Sequence, residues 1–426
     1  MLDKKIFISS VFTLLLLSLL FQNLIIFKIF NLYKISIFEI LFLILFFLLF
    51  IFKNKIVISA ILNYKNFNYF DYICVIVFSF KALKYLLDLG NPLNLYDLMI
   101  WFYLYLLMKC VYLCLSDNII TVNKIKNIFI FISIFSIIIL IFSFIIYHLN
   151  FQSSLLWYKT PETFHPYFGN SSTYFVGLLK NYNLQAYLIL PGYFFCMELF
   201  KKNNLKYLII LLFLFCFAIL KSKVLLLVLA FSFYEFFLAK KSYYYTNIKI
   251  FIFYFLIIFL IYTIVTHLLI LDSNVKNIYD KKIFLNYFTR EPVFTIFNYE
   301  IYGSLFYKLK LMAINNAYLN NYIFFNEINF NQLNSLFSEY SFGVDAHSDY
   351  FNYLSNYGFF GLLIFLIYFY YFFNNFTFNL YKNRYLFYIY CIFLIESIIS
   401  DVTHFHFLWI LFGVLYFQKK SSFNLK

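Results

Sequence analysis

Charge is what this sequence has least of. Only 12% of its 426 residues are Asp, Glu, Lys or Arg, against 64% hydrophobic residues and a mean hydropathy of +0.81. A soluble globular domain carries about a quarter of its residues charged, so a soluble protein is excluded and an integral membrane protein remains. Glycine (9) and proline (5) are also scarce. No Gly/Pro/Ser linker marks a second domain, and little of the helix interruption typical of transporters is present. The cysteines, Cys74, Cys110, Cys114, Cys196, Cys216 and Cys391, lie within or beside hydrophobic runs. Disulfides or a metal site need clustering in an aqueous region. Cys110 and Cys114 share a helix face, yet no His or carboxylate beside them completes a ligand set. They read as small apolar residues, and no metal or other cofactor is expected.

Phe (65) and Tyr (42) are abundant alongside Ile, Leu, Asn and Lys, the signature of an AT-rich coding sequence, so an aromatic stripe is background rather than a ligand box. The net charge of +14 is spread between hydrophobic segments instead of forming a patch. That excludes a nucleic-acid face and makes the basic residues reporters of orientation.

Twelve apolar runs are long enough to be spans: 6–27, 35–52, 69–87, 94–115, 127–147, 183–200, 205–220, 224–239, 248–270, 350–373, 385–400 and 404–418. Lys221, Ser222 and Lys223 split the seventh from the eighth. Two lysines at the bilayer centre would each cost about 3 kcal/mol, which favours a tight hairpin with the lysines at a surface. With the N-terminus inside, every inside connection carries at least two basic residues, for example Lys53, Lys55 and Lys65, or Lys201, Lys202 and Lys206. The short outside loops carry only Lys28, Lys34, Lys159, Lys180, Lys221 and Lys223. The expectation is therefore an all-α polytopic protein, one membrane domain over 1–426 with both termini cytoplasmic. The first run lacks a small-residue cleavage site and is read as a membrane helix rather than a cleaved signal.

Two outside segments are long. His148 to Tyr182 contains the turn-rich TPETFHPYFGN, and the loop 271–346 contains Arg290 in TREP and the run YGSLFYKLKLMAINNAYLNNYIFF. Apolar residues there recur at helical spacing with Lys308 and Lys310 left for solvent, which predicts an interfacial amphipathic helix. Beyond the loop, Phe342 to Phe369 places Asp345, His347, Ser348 and Asp349 directly before a hydrophobic helix. His347 exchanges a proton near neutral pH, and Asp345 and Asp349 are close enough to orient it. A solvated loop histidine before a membrane helix would look the same. With Arg290, Lys221, Lys223, Lys308 and Lys310 on the same face, the chemistry that fits is binding of a lipid-linked diphosphate, with His347 deprotonating an attacking hydroxyl. Arg290 suits bidentate phosphate recognition. His404 and His406, with Asp401 and Glu396, surround the last outside turn and would line a cavity or relay protons. Glu39 and Glu198 read as buried partners, at cytoplasmic or mid-membrane levels, for backbone or Lys groups.

AHSDYFNYLSNYGFFGLLIFL resembles the histidine motif of the bacterial O-antigen ligase and polymerase family, a His after a long periplasmic loop and then Gly-x-x-Gly, here Gly358 and Gly361, entering a membrane helix. LLKNYNLQAYLILPG resembles the family's Asn-containing helix that ends in Pro, on Asn183, Ala186 and Pro191. ILKSKVLLLVLAF stands where a Ser-Arg pair is usual, on Ser222 and Lys223, and a loop Arg of the family would fall on Lys308. The resemblance covers roughly residues 165 to 415. It implies the GT-C-type fold of polyprenyl-using glycosyltransferases in the bacterial inner membrane. It also implies metal-independent transfer of a glycan from undecaprenyl pyrophosphate on the periplasmic side, with His347 as base and basic residues on the pyrophosphate. Lys at 223 and 308 neutralises phosphate without a bidentate fork. The acceptor, lipid A–core for a ligase or a second lipid-linked glycan for a polymerase, stays open. A lipid-linked sugar transporter or flippase is the alternative from a different class.

Overall fold

The computed structural model describes residues 2–21, 25–29, 33–62, 67, 69–87, 92–149, 158–159, 174–175, 179, 182–199, 205–220, 222, 224–238, 248, 292–296, 299–302, 363, 366–367, 383–397 and 405–423. Over these the protein is overwhelmingly helical: α1 (Leu2–Leu17), α2 (Ile37–Leu62), α3 (Tyr69–Leu87), α4 (Pro92–Ser116), α5 (Val122–His148), α6 (Tyr182–Leu199), α7 (Leu205–Ile219), α8 (Val224–Phe233), α9 (Arg384–Glu396) and α10 (His406–Phe423). Four stretches, Lys4–Phe21, Ile37–Ile61, Leu95–Ser116 and Val122–Ile146, are long and apolar enough to cross a membrane. Three short antiparallel strand pairs add to the helices: β1 (Ile25–Ile29) with β2 (Tyr33–Ser36), β3 (Tyr158–Lys159) with β4 (Tyr174–Phe175), and β5 (Pro292–Ile296) with β6 (Tyr299–Tyr302).

Two boundaries differ most from the sequence reading. The first helix gives way to a 3-10 turn at Ser18–Phe21, and residues expected at its end, such as Ile25 and Phe27, are strand paired with Ser36 and Ile35. α2 continues ten residues beyond position 52 but breaks at Lys53, whose backbone (φ −142°, ψ 33°) is not helical. The polar Lys-Asn-Lys triplet explains the break: the Asn54 side chain accepts from the Lys55 N–H at 2.7 Å, competing locally with the helical pattern, while Lys53 reaches Asp117 at 3.1 Å.

Side-chain contacts order the helix ends. Lys5 Nζ donates to the Asp117 carbonyl (2.9 Å), Lys124 Nζ to Ser9 Oγ (3.0 Å), and Lys126 Nζ to both Glu198 oxygens at 2.7 Å. The start of α1, the Lys53 break of α2, the end of α4, the start of α5 and the end of α6 therefore share one end of the bundle, here the Asp117 end. The opposite end, named for Asn183, gathers the starts of α2, α6 and α10, the end of α9 and the α7–α8 turn. α7 and α8 lie side by side as a hairpin, since Tyr207 near the start of one stacks on Phe236 just past the end of the other (6.4 Å, 25°).

Small residues set the closest approaches, as expected where helices meet without a hydrophobic drive from lipid. A Cβ on Gly192 of α6 would lie 2.0 Å from Ser133 Oγ of α5, and one on Gly413 of α10 would lie 2.6 Å from Val111 Cβ of α4. Pro191 does not end α6, contrary to the pattern implied by the resemblance; it sits inside the helix. Proline there removes the backbone donor that would reach the Tyr187 carbonyl, and nearby the buried Ser133 hydroxyl donates to the Ile189 carbonyl at 3.2 Å. The core is aromatic as well as aliphatic: Trp101 and Trp409 meet edge to face at 5.2 Å. Outward, Leu208, Leu211 and Leu226 are 65–70% exposed, an apolar surface suited to lipid. All six cysteines are free and buried.

Candidate functional site

Two of the predicted site residues, Asn183 and His406, fall in the described part of the chain. His347, Asp345, Asp349, Arg290, Lys308, Lys310, Lys221, Lys223, His404 and Asp401 lie outside the described residues, as do the amphipathic run after Tyr302 and nearly all of the spans expected at 248–270 and 350–373.

Asn183 opens α6 and accepts a hydrogen bond from Ser222 Oγ at 3.3 Å, across 39 residues of sequence. Ser222 sits in the α7–α8 turn and also receives the Val224 N–H at 3.4 Å, so the turn's own backbone fixes the hydroxyl that meets Asn183. One helical turn further along α6, Tyr187 donates to Glu396 Oε2 at 2.7 Å inside the core. The Tyr187 ring lies 5.3 Å from Phe405 and 5.8 Å from Phe393, which ties α6 to the end of α9 and the start of α10.

His406 is found beside an acid that the sequence reading did not place near it. Its Nε2 lies 3.4 Å from Glu39 Oε1, whereas Glu396 turns to Tyr187. Glu39 therefore belongs to the Asn183 end of the bundle, not to its middle. Its carboxylate is anchored by the Ser36 N–H (2.7 Å) and by the Ser36 hydroxyl, because Glu39 stands in the first turn of α2 where backbone donors are unpaired within the helix. The imidazole lies 4.5 Å from the Phe38 ring and edge-on to Tyr103 at 5.5 Å. Nearby, Lys81 pairs with Asp97 and lies 5.5 Å from the Trp101 ring.

The Asp117 half of the bundle carries charges of another kind. Asp71 (0% exposed) and Lys109 (1% exposed) form an ion pair at 2.5 Å. Tyr105 donates to Asp71 Oδ1 at 3.0 Å, Tyr416 donates to Oδ2, and Lys109 Nζ donates to the Tyr416 oxygen at 3.0 Å. The pair thus joins α3, α4 and α10. Arg384 and Glu235 join α9 to the π-helical turn Tyr234–Leu238 through bonds of 2.8–3.0 Å, and Tyr385 and Tyr388 donate to the same carboxylate. Burial works against the guanidinium charge, but the hydrogen bonds and charge of Glu235, with Tyr385, outweigh it and hold the Arg384 pKa above the ordinary arginine value. Sequence reasoning did not identify either pair. The signal was present as isolated charges in apolar runs, Asp71 and Lys109 above all, but their partners stand on other helices.

The fold and these contacts define a helical protein with apolar helices of membrane-crossing length. Compared with protein-family models, curated proteins and solved structures, the chain matches none.

Proposed function

We propose that the protein is a membrane glycosyltransferase that moves a glycan from undecaprenyl pyrophosphate to an acceptor hydroxyl at the non-cytoplasmic face, in surface-polysaccharide assembly of the O-antigen ligase type. The observation that carries the proposal is the Asn183–Ser222 hydrogen bond. It joins two of the segments on which the family resemblance rests. They meet at the bundle end where Tyr187, Glu396, Glu39 and His406 also gather.

In this reading the twelve spans put the Asn183 end outside the cytoplasm. The basic side chains Arg290, Lys223 and Lys308, with Lys221 and Lys310, hold the diphosphate and stabilise it as it leaves. The acceptor hydroxyl attacks the anomeric carbon, the bond from that carbon to the diphosphate oxygen breaks, and the hydroxyl proton passes to His347, oriented by Asp345 and Asp349. Undecaprenyl pyrophosphate departs as the anion, and no metal takes part. The alternative acceptor, a second lipid-linked glycan, makes the same chemistry a polymerase.

Purified protein reconstituted with an undecaprenyl pyrophosphate-linked repeat unit, with and without lipid A–core, tests the proposal by product size. Glycan appearing only on added lipid A–core identifies a ligase, and longer chains on the polyprenyl carrier identify a polymerase. The absence of covalent product from intact substrates contradicts the proposal and favours transport without chemistry.

A further inference from the structure

Among the described residues, two buried polar groups on α5 and α6 have no hydrogen-bond partner, the side-chain Nε2 of Gln185 and the hydroxyl of Ser136. Gln185 is 0% exposed and Ser136 1%. Buried donors are nearly always satisfied, and each exception calls for an explanation. The other buried serines beside them on α5 are satisfied: Ser143 donates to the Ile139 carbonyl at 2.8 Å and Ser133 to the Ile189 carbonyl at 3.2 Å.

The two unpartnered groups lie within about one helical turn of each other along the bundle axis. Contact of Ser133 with Ile189 and Gly192 sets the register of the antiparallel helices. Ser136 is three residues from Ser133 toward the Asn183 end, and Gln185 is four residues from Ile189 in the same direction. At the helical rise they lie about 1.5 Å apart along the bundle axis by the Ile189 contact and about 6 Å apart by the Gly192 contact. Exchanging the amide's oxygen and nitrogen does not remove the problem. The Leu179 N–H donates to Gln185 Oε1 at 3.3 Å, so a turned amide would set N–H against N–H. The two amide donors thus stand less than one helical turn inside the end of α6 that carries Asn183, with the hydroxyl on the facing helix.

We infer that Gln185 and Ser136 form a binding site for an acceptor oxygen, supplied by the diphosphate of a polyprenyl diphosphate entering the bundle at the Asn183 end. This rests on the transferase reading above. Neutral donors suit the orienting of a diphosphate oxygen whose charge is balanced elsewhere by lysine and arginine. An ordered water is the other source of such an oxygen, and it differs in consequence. A hydroxyl that waits for a ligand contributes nothing to the unliganded protein, whereas one that holds a structural water supports its stability.

The test uses the full chain in lipid nanodiscs, titrated with undecaprenyl diphosphate, in wild type, Ser136→Ala and Gln185→Met, with thermal unfolding measured before ligand is added. The expected result is binding at least tenfold weaker in each variant, with the unliganded melting temperature of Ser136→Ala no lower than that of wild type. Gln185→Met also removes the acceptor for the Leu179 N–H, so Ser136→Ala carries the test if the glutamine variant folds poorly. Unchanged binding in Ser136→Ala overturns the site, and a lowered melting temperature with unchanged binding identifies a structural water instead. Failure of the wild type to bind undecaprenyl diphosphate overturns the site and the transferase reading together; wild-type binding that the variants match overturns the site alone.

Discussion

In the Asp117 half of the bundle four pairs of opposite charges meet, Lys109 with Asp71, Arg384 with Glu235, Lys53 with Asp117 and Lys126 with Glu198, while Lys5 and Lys124 each donate to an uncharged oxygen. At the Asn183 end the groups that meet across helices are mostly hydroxyls and amides with a few acids, as in Ser222 with Asn183, Tyr187 with Glu396 and Leu179 with Gln185. Formal ion pairs there, Glu39 with His406 and Lys81 with Asp97, include partners 20–29% exposed, and at the Asp117 end Lys53 with Asp117 and Lys126 with Glu198 are as open, at 18–37%; the sealed pairs are Lys109 with Asp71 and Arg384 with Glu235, at 10% or less. The first arrangement is closed, because each buried charge is neutralised by a partner on another helix and by tyrosine hydroxyls. The second leaves two buried polar groups, on Gln185 and Ser136, without a hydrogen-bond partner among the described residues. In the proposed reading stability and chemistry fall at different ends of the same helices, and substitutions should separate them.

The largest effect is expected at Asp71. Replacement by Ala leaves the Lys109 ammonium buried without its counter-charge, and loss of one member of such a pair costs about 3–5 kcal/mol. Unfolding of the detergent-solubilised protein should show this, and the double replacement Asp71→Leu with Lys109→Met should recover most of it. Recovery of nothing would mean that the site does more than balance charge.

Next comes Gly192→Ala, whose methyl would meet Ser133 on α5. Forced separation of well-packed helices costs about 1–3 kcal/mol. Ser133→Gly should restore part of the loss, which a melting curve resolves. A Gly192→Ala protein as stable as wild type would show that the α5–α6 approach is looser than this geometry.

The smallest effect belongs to the Asn183 end. Glu39→Gln keeps the Ser36 contacts in outline and weakens only a partly exposed pairing with His406, so its stability cost should stay below about 1 kcal/mol. If that substitution destabilises the protein as strongly as Asp71→Ala, the contrast between the two ends fails.

Much of the helical framework was legible because an apolar run long enough to span is constrained by length alone. The run 69–87 is α3 residue for residue, and 94–115 is α4 with small extensions at both ends. What was not legible depends on tertiary partners. The break of α2 at Lys53 owes its pairing to Asp117 on another connection, and α6 passes through Pro191 with Ser133 of α5 supplying a hydroxyl. Of the site, the sequence singled out Asn183, Ser222 and His406 but did not place Glu39 beside His406, because the start of α2 is some 370 residues away in the chain. Gln185 carried no signal at all, since a glutamine is notable only once its burial is known.

The most direct measurement is glycan transfer by reconstituted wild-type protein and His347→Ala at matched abundance, from an undecaprenyl pyrophosphate-linked repeat unit. The account predicts covalent product from the wild type and none from the variant, with membrane insertion and melting temperature unchanged. Equal product from both, or none from the wild type with intact substrates, would contradict it.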